Sequence, residues 1–292
     1  MENLFLPGNL RYQPKKMKKV FGYDNLYLPY VLVELATLEA LHENEVIPKS
    51  EYQSLTEKVK EELKKIRTSE IDQIEREVTK HDVRALVQKI KSLLNENLKR
   101  WVHIPLTSYD VIDTGRSLQF MQGYKIIRES VVQLMEQMMI KIEEFADVPQ
   151  IGRTHGQHAL PITVGFWLAT ILNRLLFNLE KMDANAAGLV GKISGAVGAH
   201  NAQMGLNIER PGKSFEEQVL EKLGLKPAPI STQILPPEPL SYFLFSVSMT
   251  SASLAQLGRD GRNLMRTEIS EISEVFEKGQ VGSSTMSTKE IP

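Results

Sequence analysis

From Tyr109 to Phe145 the chain repeats apolar or small residues at steps of three and four. They fall at Val111, Gly115, Leu118, Met121, Tyr124, Ile127, Val131, Leu134, Met138, Ile142 and Phe145, and no proline interrupts them. A stripe this long is satisfied by one long helix lying along helical neighbours, and by little else. The sequence supplies two such neighbours. Pro161 suits the first turn of a helix over Ile162–Ala186, whose apolar residues Phe166, Trp167, Leu168, Ile171, Leu172, Leu175, Leu176 and Leu179 nearly encircle it and predict burial on several sides. A third helix begins near Pro239 and keeps a heptad through Leu240, Phe243, Val247, Leu254, Leu257 and Leu264. Its pattern extends to Ile272 and Phe276 before Gly279.

Three long helices predict an all-α bundle over 109–292, preceded by a small helical N-terminal domain over 1–108. Shorter helices are expected there at 28–45, 51–66 and 69–98, and strand signals are nearly absent. The 292 residues, 42% of them hydrophobic, suffice for a real core. Thirty-five Lys and Arg against 36 Asp and Glu leave a net charge of −1, so no global field favours nucleic acid or an anionic membrane. The absence of cysteine excludes a disulfide framework, thiolate chemistry and Cys-ligated zinc. No basic segment followed by an apolar one opens the chain, and the least charged stretch, 155–173, contains two His, a Pro and two Gly. A cytoplasmic protein without a membrane partner is therefore expected.

The polar, glycine-bearing segments interrupt the helical pattern: WVHIPLTSYD, VPQIGRTHGQHALP, GKISGAVGAHNAQMG, KPAPISTQILPPEP and GQVGSSTMSTKEIP. Rigid helices holding such loops are how bundle enzymes assemble a site. Of six histidines, His42 lies in an amphipathic helix and His200 in a loop, whereas His81, His103, His155 and His158 stand at or beside the breaks. His155 and His158 are three apart but lack a nearby carboxylate or third ligand, so acid/base work fits them better than a metal, and no cofactor is expected.

Read together and in order, GRTHGQHALP, WVHIPLTSYDVIDT, KHDVRALV, GKISGAVG, APISTQ and GSSTMSTK resemble the fumarase/aspartase superfamily, most closely its adenylosuccinate lyase family. The likeness runs from RYQPKKM at residue 11 to Pro292. The resemblance implies a fumarase/aspartase-like long-helix bundle and a metal-free elimination of fumarate. The substrates would be adenylosuccinate, which gives AMP, and the succinylcarboxamide ribotide of purine synthesis. It implies His155 as general acid and Ser283 as base. Substrate contacts would come from Thr154, Ser284 and Lys289, from His103, and from Thr107 with Ser108 on the succinyl group. His81 with Asp82, Gln233 and Arg262 complete the set, with Arg11 and Tyr12 on the phosphate, helped by Lys15 and Lys16. It also implies a homotetramer whose active sites combine segments of three subunits.

The chemistry wants these groups. Proton loss beside a carboxylate builds charge that Lys289 and the two hydroxyls can meet where it develops. A serine becomes a base only where positive charge and loop closure favour its alkoxide, which suits a mobile, exposed loop at 279–292. Three residues depart from the family loop: Ser287 replaces a proline, Glu290 a non-acidic residue and Ile291 an asparagine. Glu290 would weaken the pull of Lys289 on a dianion. The sequence also stops before the Glu that orients the catalytic His in relatives, so fumarate release from these residues alone is expected to fall below detection. Two other readings remain: an impaired homologue acting as an oligomeric scaffold, and a 3-carboxymuconate cycloisomerase-like member, for which Thr285 is common.

Overall fold

The computed structural model describes residues 9–273. Among them lie twelve α-helices: α1 Lys15–Phe21, α2 Leu28–Glu43, α3 Lys49–Tyr52, α4 Glu57–Leu63, α5 Thr68–Ile74, α6 Asp82–Ser92, α7 Glu96–Lys99, α8 Ser108–Glu144, α9 Val164–Ala186, α10 Asn201–Gly205, α11 Phe215–Lys222 and α12 Glu238–Leu264. The strands are β1 Pro149–Thr154, β2 Gln157–Thr163, β3 Val190–Gly191 and β4 Lys226–Pro227, in two separate two-stranded sheets. The all-α expectation holds, since the strands only decorate helices.

These residues form two compact units, one of 9–127 with 185–243 and the other of 128–184 with 244–273. In the first, α2 is buried on most of its surface and packs with α6, the start of α8 and α11. Tyr30, Val33, Leu38, Leu86, Ile90, Val111 and Phe215 are core members. This core runs past residue 108, because Val111, Ile112 and Leu118 of α8 belong to it. Gly115 is required there: a Cβ would collide with the Tyr30 ring. In the second unit Met138, Ile171 and Leu175 make a small core with Leu134, Leu172, Leu254 and Leu257. Gly165 lets α9 approach α8, where a Cβ would stand 2.6 Å from the Ile142 carbonyl oxygen.

The long helices agree with the periodicity, and every residue of the 109–145 stripe is buried or half-buried. Four details differ. The expected 51–66 helix breaks after Tyr52 and restarts at Thr56, whose hydroxyl accepts from the Val59 amide. The expected 69–98 helix widens to a π-turn over Glu75–Thr79, stops at left-handed Lys80 (φ +52°) and restarts after extended His81. The third long helix ends at Leu264 rather than continuing through Ile272. Ser270 turns left-handed (φ +49°), Glu271 folds back to bond the Leu264 carbonyl, and its carboxylate pairs with Arg153; Phe276 lies outside the described residues. Burial of α9 on several sides also fails within one chain: Ile171, Leu175, Leu179 and Met182 are buried, but Phe166 and Phe177 are 59% and 58% exposed.

Candidate active site

The GRTHGQHALP segment is a β-hairpin, where the sequence reading expected a loop. β1 and β2 pair antiparallel with Thr154 opposite Gln157, so His155 and Gly156 alone make the turn. Both have positive φ (+54° and +74°), as a type I′ turn requires, and histidine is among the side chains that tolerate this region. The turn presents His155 and Thr154 exposed at the tip, with His158 opposite Arg153. Below it lies a cleft of about 480 Å³ lined by Gln150–Arg153, Gly156, Ile162, Trp167, Asp260, Asn263, Leu264, Arg266 and Ile269. The hydrogen-bonded ion pair of Arg153 with Glu271 raises the pKa of the guanidinium and lowers that of the carboxyl. Arg262 sits exposed on the last turn of α12.

In the first unit His103 is held by a group that the sequence reading missed. Glu34 of α2, 1% exposed, accepts the His103 backbone N–H at 3.1 Å through Oε2 and contacts Nδ1 at 2.7 Å through Oε1. His103 adopts φ +71°, a sparsely populated conformation that this two-pronged grip sustains. With Nδ1 engaged, Nε2 is the ring nitrogen left for a ligand. Thr107 and Ser108 begin α8, both half-buried. The Thr107 amide donates to Asp110 Oδ2 at 2.8 Å.

His81 and Asp82 open α6, with Nδ1 3.0 Å from Oδ1, and both stand partly exposed. The Asp82 carboxylate also accepts from the Val83 amide at 2.7 Å. The hydroxyl of Tyr27 is pushed up in pKa by burial first and the Asp82 charge second. Gln233 is exposed in the loop before α12. That loop and the start of α8 line a second cleft of about 340 Å³, which includes Tyr109, Asp113, Arg116, Ile234, Leu235 and Pro236. Asp113 fixes the loop by accepting the Leu235 amide at 2.8 Å. Arg11 and Tyr12 lie exposed on a 3-10 turn capped by Asn9, beside exposed Lys15. Ser283, Ser284, Ser287, Lys289, Glu290 and Ile291, and the expected mobile loop that carries them, lie outside the described residues.

His42 is occupied structurally, its Nδ1 3.0 Å from the Ile47 carbonyl and its ring stacked on Tyr52. His200 stands 3.5 Å from Glu209 and 3.8 Å from Glu216. Burial raises the Glu216 pKa against the opposing Ile193 amide bond. Among the described residues no group of three or more His, Asp or Glu is arranged to hold a metal, and no helix is long and apolar enough to cross a membrane.

The model of a family described as lyase matches residues 13–292. The chain is 36% identical to an adenylosuccinate lyase of Archaeoglobus fulgidus over 290 residues, covering 98% of this chain and 62% of the relative. It is 35% identical to adenylosuccinate lyases of Bacillus subtilis and Thermotoga maritima, each over 283 residues, covering 97% of this chain and 62% of the relative. The chain thus spans about three fifths of these relatives. Among solved structures, a 3-carboxy-cis,cis-muconate lactonizing enzyme from Pseudomonas putida superposes with TM-score 0.76 at 23% identity, over 90% of this chain and 59% of that one. A fumarate lyase from Mesorhizobium sp. BNC1 does so with TM-score 0.76 at 22% identity, over 91% and 60%. At these identities the two structures speak for the fold.

Proposed function

This chain belongs to the lyase family, and from that membership we propose that it serves to eliminate fumarate from adenylosuccinate, leaving AMP. The observation that carries the reading is likeness to adenylosuccinate lyases along nearly the whole chain, at 36% and 35% identity. The succinylcarboxamide ribotide, which carries the same succinyl group on a related nucleotide, is the second substrate.

In the proposed reaction Ser283 takes a proton from the succinyl carbon next to a carboxylate. The electron pair forms the fumarate double bond, the carbon–nitrogen bond breaks, and His155 protonates the departing nitrogen. The exposed hairpin turn supports an acid that meets substrate without steric hindrance from its own strand. Thr107, Ser108 and Lys289 receive the succinyl carboxylates, and Thr154, Ser284, Gln233 and Arg262 line the substrate. Arg11 and Tyr12 take the phosphate, with His81, Asp82 and His103 on the nucleotide side. Glu34 supports this role for His103, because it engages Nδ1 and so presents Nε2. Of these groups, Arg11 and Tyr12 lie on a 3-10 turn of the first unit, and His155 on the hairpin turn of the second. No cofactor takes part.

The assembly is a cytoplasmic homotetramer with shared active sites. Supporting this, the α8, α9 and α12 segments of the second unit leave Met139, Ile140, Phe166, Phe177, Phe245 and Met249 exposed in one chain. Large apolar side chains exposed together on one unit are the kind of surface that further copies of a chain cover.

Joining residues 1–292 to the part of the Archaeoglobus fulgidus relative that lies beyond the match tests the chemistry. Fumarate release from adenylosuccinate is expected. His155→Gln and Ser283→Ala should each lower turnover at least about 100-fold, with a combined loss smaller than the product, because both serve one elimination. A joined protein that binds the nucleotide but forms no fumarate would favour the scaffold and overturn the proposal.

A further inference from the structure

The GKISGAVG segment has no part in the proposed chemistry, yet it encloses the most deeply buried charges of the first unit. The Lys192 and Asp110 side chains are both 0% exposed and form an ion pair. Lys192 Nζ also donates to the Gly195 carbonyl at 3.2 Å, and Asp110 Oδ1 accepts the Gly195 amide at 3.2 Å. The other carboxylate oxygen accepts the Thr107 amide at 2.8 Å. One turn along α8, the Thr114 hydroxyl donates to the Lys192 carbonyl at 2.9 Å and accepts its amide at 3.0 Å.

The far side of the same segment grips the loop that carries Gln233. Ser194 and Ser231 share a hydroxyl hydrogen bond of 2.7 Å. Gly198 packs so closely that a Cβ would strike the Ser231 carbonyl and stand 3.1 Å from the Thr232 Cα. A continuous chain of bonds therefore runs from Thr107 through Asp110, Lys192 and Gly195 to Ser194 and Ser231.

A fully buried ion pair gains little stability over apolar side chains of the same size. A carboxylate with both oxygens committed, however, fixes every donor that it meets. Resting on the lyase reading, we propose that Asp110 and Lys192 are positioning residues. They set the placement of the Thr107–Ser108 pair against the Ser231–Gln233 loop, and thereby the affinity for the succinyl part of the substrate. Neither touches substrate. Their effect is confined to the succinyl end, because the nucleotide phosphate is assigned to Arg11 and Tyr12.

The test is calorimetric titration of the whole 292-residue chain with adenylosuccinate and with AMP. The double variant Asp110→Asn/Lys192→Met removes both charges and keeps side-chain size, so no lone charge stays buried. It should lose at least about tenfold in adenylosuccinate affinity while AMP affinity stays within about twofold, a ratio that general loosening would not produce. Ser231→Ala, at a half-buried site, should move the ratio the same way by about threefold, and it decides the matter if the double variant does not fold. An unchanged ratio in the variants, or equal losses for both ligands, would overturn the inference and leave the lyase reading intact. A wild-type chain that binds neither ligand would sink that reading, and the inference with it.

Discussion

Glu34 grips His103 from 69 residues away, and its two hydrogen bonds fix a ring that the sequence marks only by its place beside a break. Glu34→Ala removes both acceptors and frees the ring to turn. AMP affinity should then fall by about tenfold, with Glu34→Gln falling less because it keeps one acceptor. Unchanged titrations in both variants would detach His103 from the nucleotide. Glu216 makes the opposite kind of prediction. Burial raises its pKa in the folded state, so the folded protein holds the proton to higher pH than the unfolded chain, and stability declines as pH rises from the ordinary carboxylate range through the raised value. Glu216→Gln keeps an acceptor for the Ile193 amide and should raise Tm at pH 7 while flattening that decline. Neither Asp110 nor Glu34 stands out in the sequence, because their partners Lys192 and His103 reach them only through tertiary packing.

Among the elements, α8, α9 and α12 were readable because their stripes repeat over many turns, far beyond what a strand or loop sustains. The hairpin β1–β2 was not. Its turn uses His–Gly rather than the commoner Asn–Gly, and the pairing shifts register between Ile151 and Arg153, so no clean alternation marks the strands. The end of α12 was missed for another reason: the Arg153 pairing that draws Glu271 aside is remote in sequence. Two glycines separate backbone strain from packing. At Gly156 a Cβ would meet nothing within 4 Å, so Gly156→Ala should cost only the left-handed penalty, about 1 kcal/mol. At Gly165 a Cβ would press on the Ile142 carbonyl oxygen and the Ala146 backbone, so Gly165→Ala should cost about 3 kcal/mol. Thermal or urea denaturation ranks the two; equal losses would contradict the close α8–α9 approach.

For the whole molecule, the proposed homotetramer would cover the exposed aromatic residues of α9 and α12 with further copies of the chain. Light scattering at micromolar concentration should give about four times the 33.0 kDa chain mass, and Phe177→Asp with Phe245→Asp should release monomers. A wild-type monomer would remove the tetramer from the account. The central claim concerns the ligand, and composition could not reach it: a charge of −1 and an absence of cysteine exclude partners without naming one. The proposed ligand rests on the resemblance of the ordered motifs, which composition does not supply. Titrating the 292-residue chain with adenylosuccinate, AMP and 3-carboxymuconate tests the claim most directly. The account predicts one saturable site per chain that takes adenylosuccinate most tightly, AMP more weakly and carboxymuconate least. Tighter binding of carboxymuconate than of either nucleotide, or no binding of the nucleotides, would contradict it.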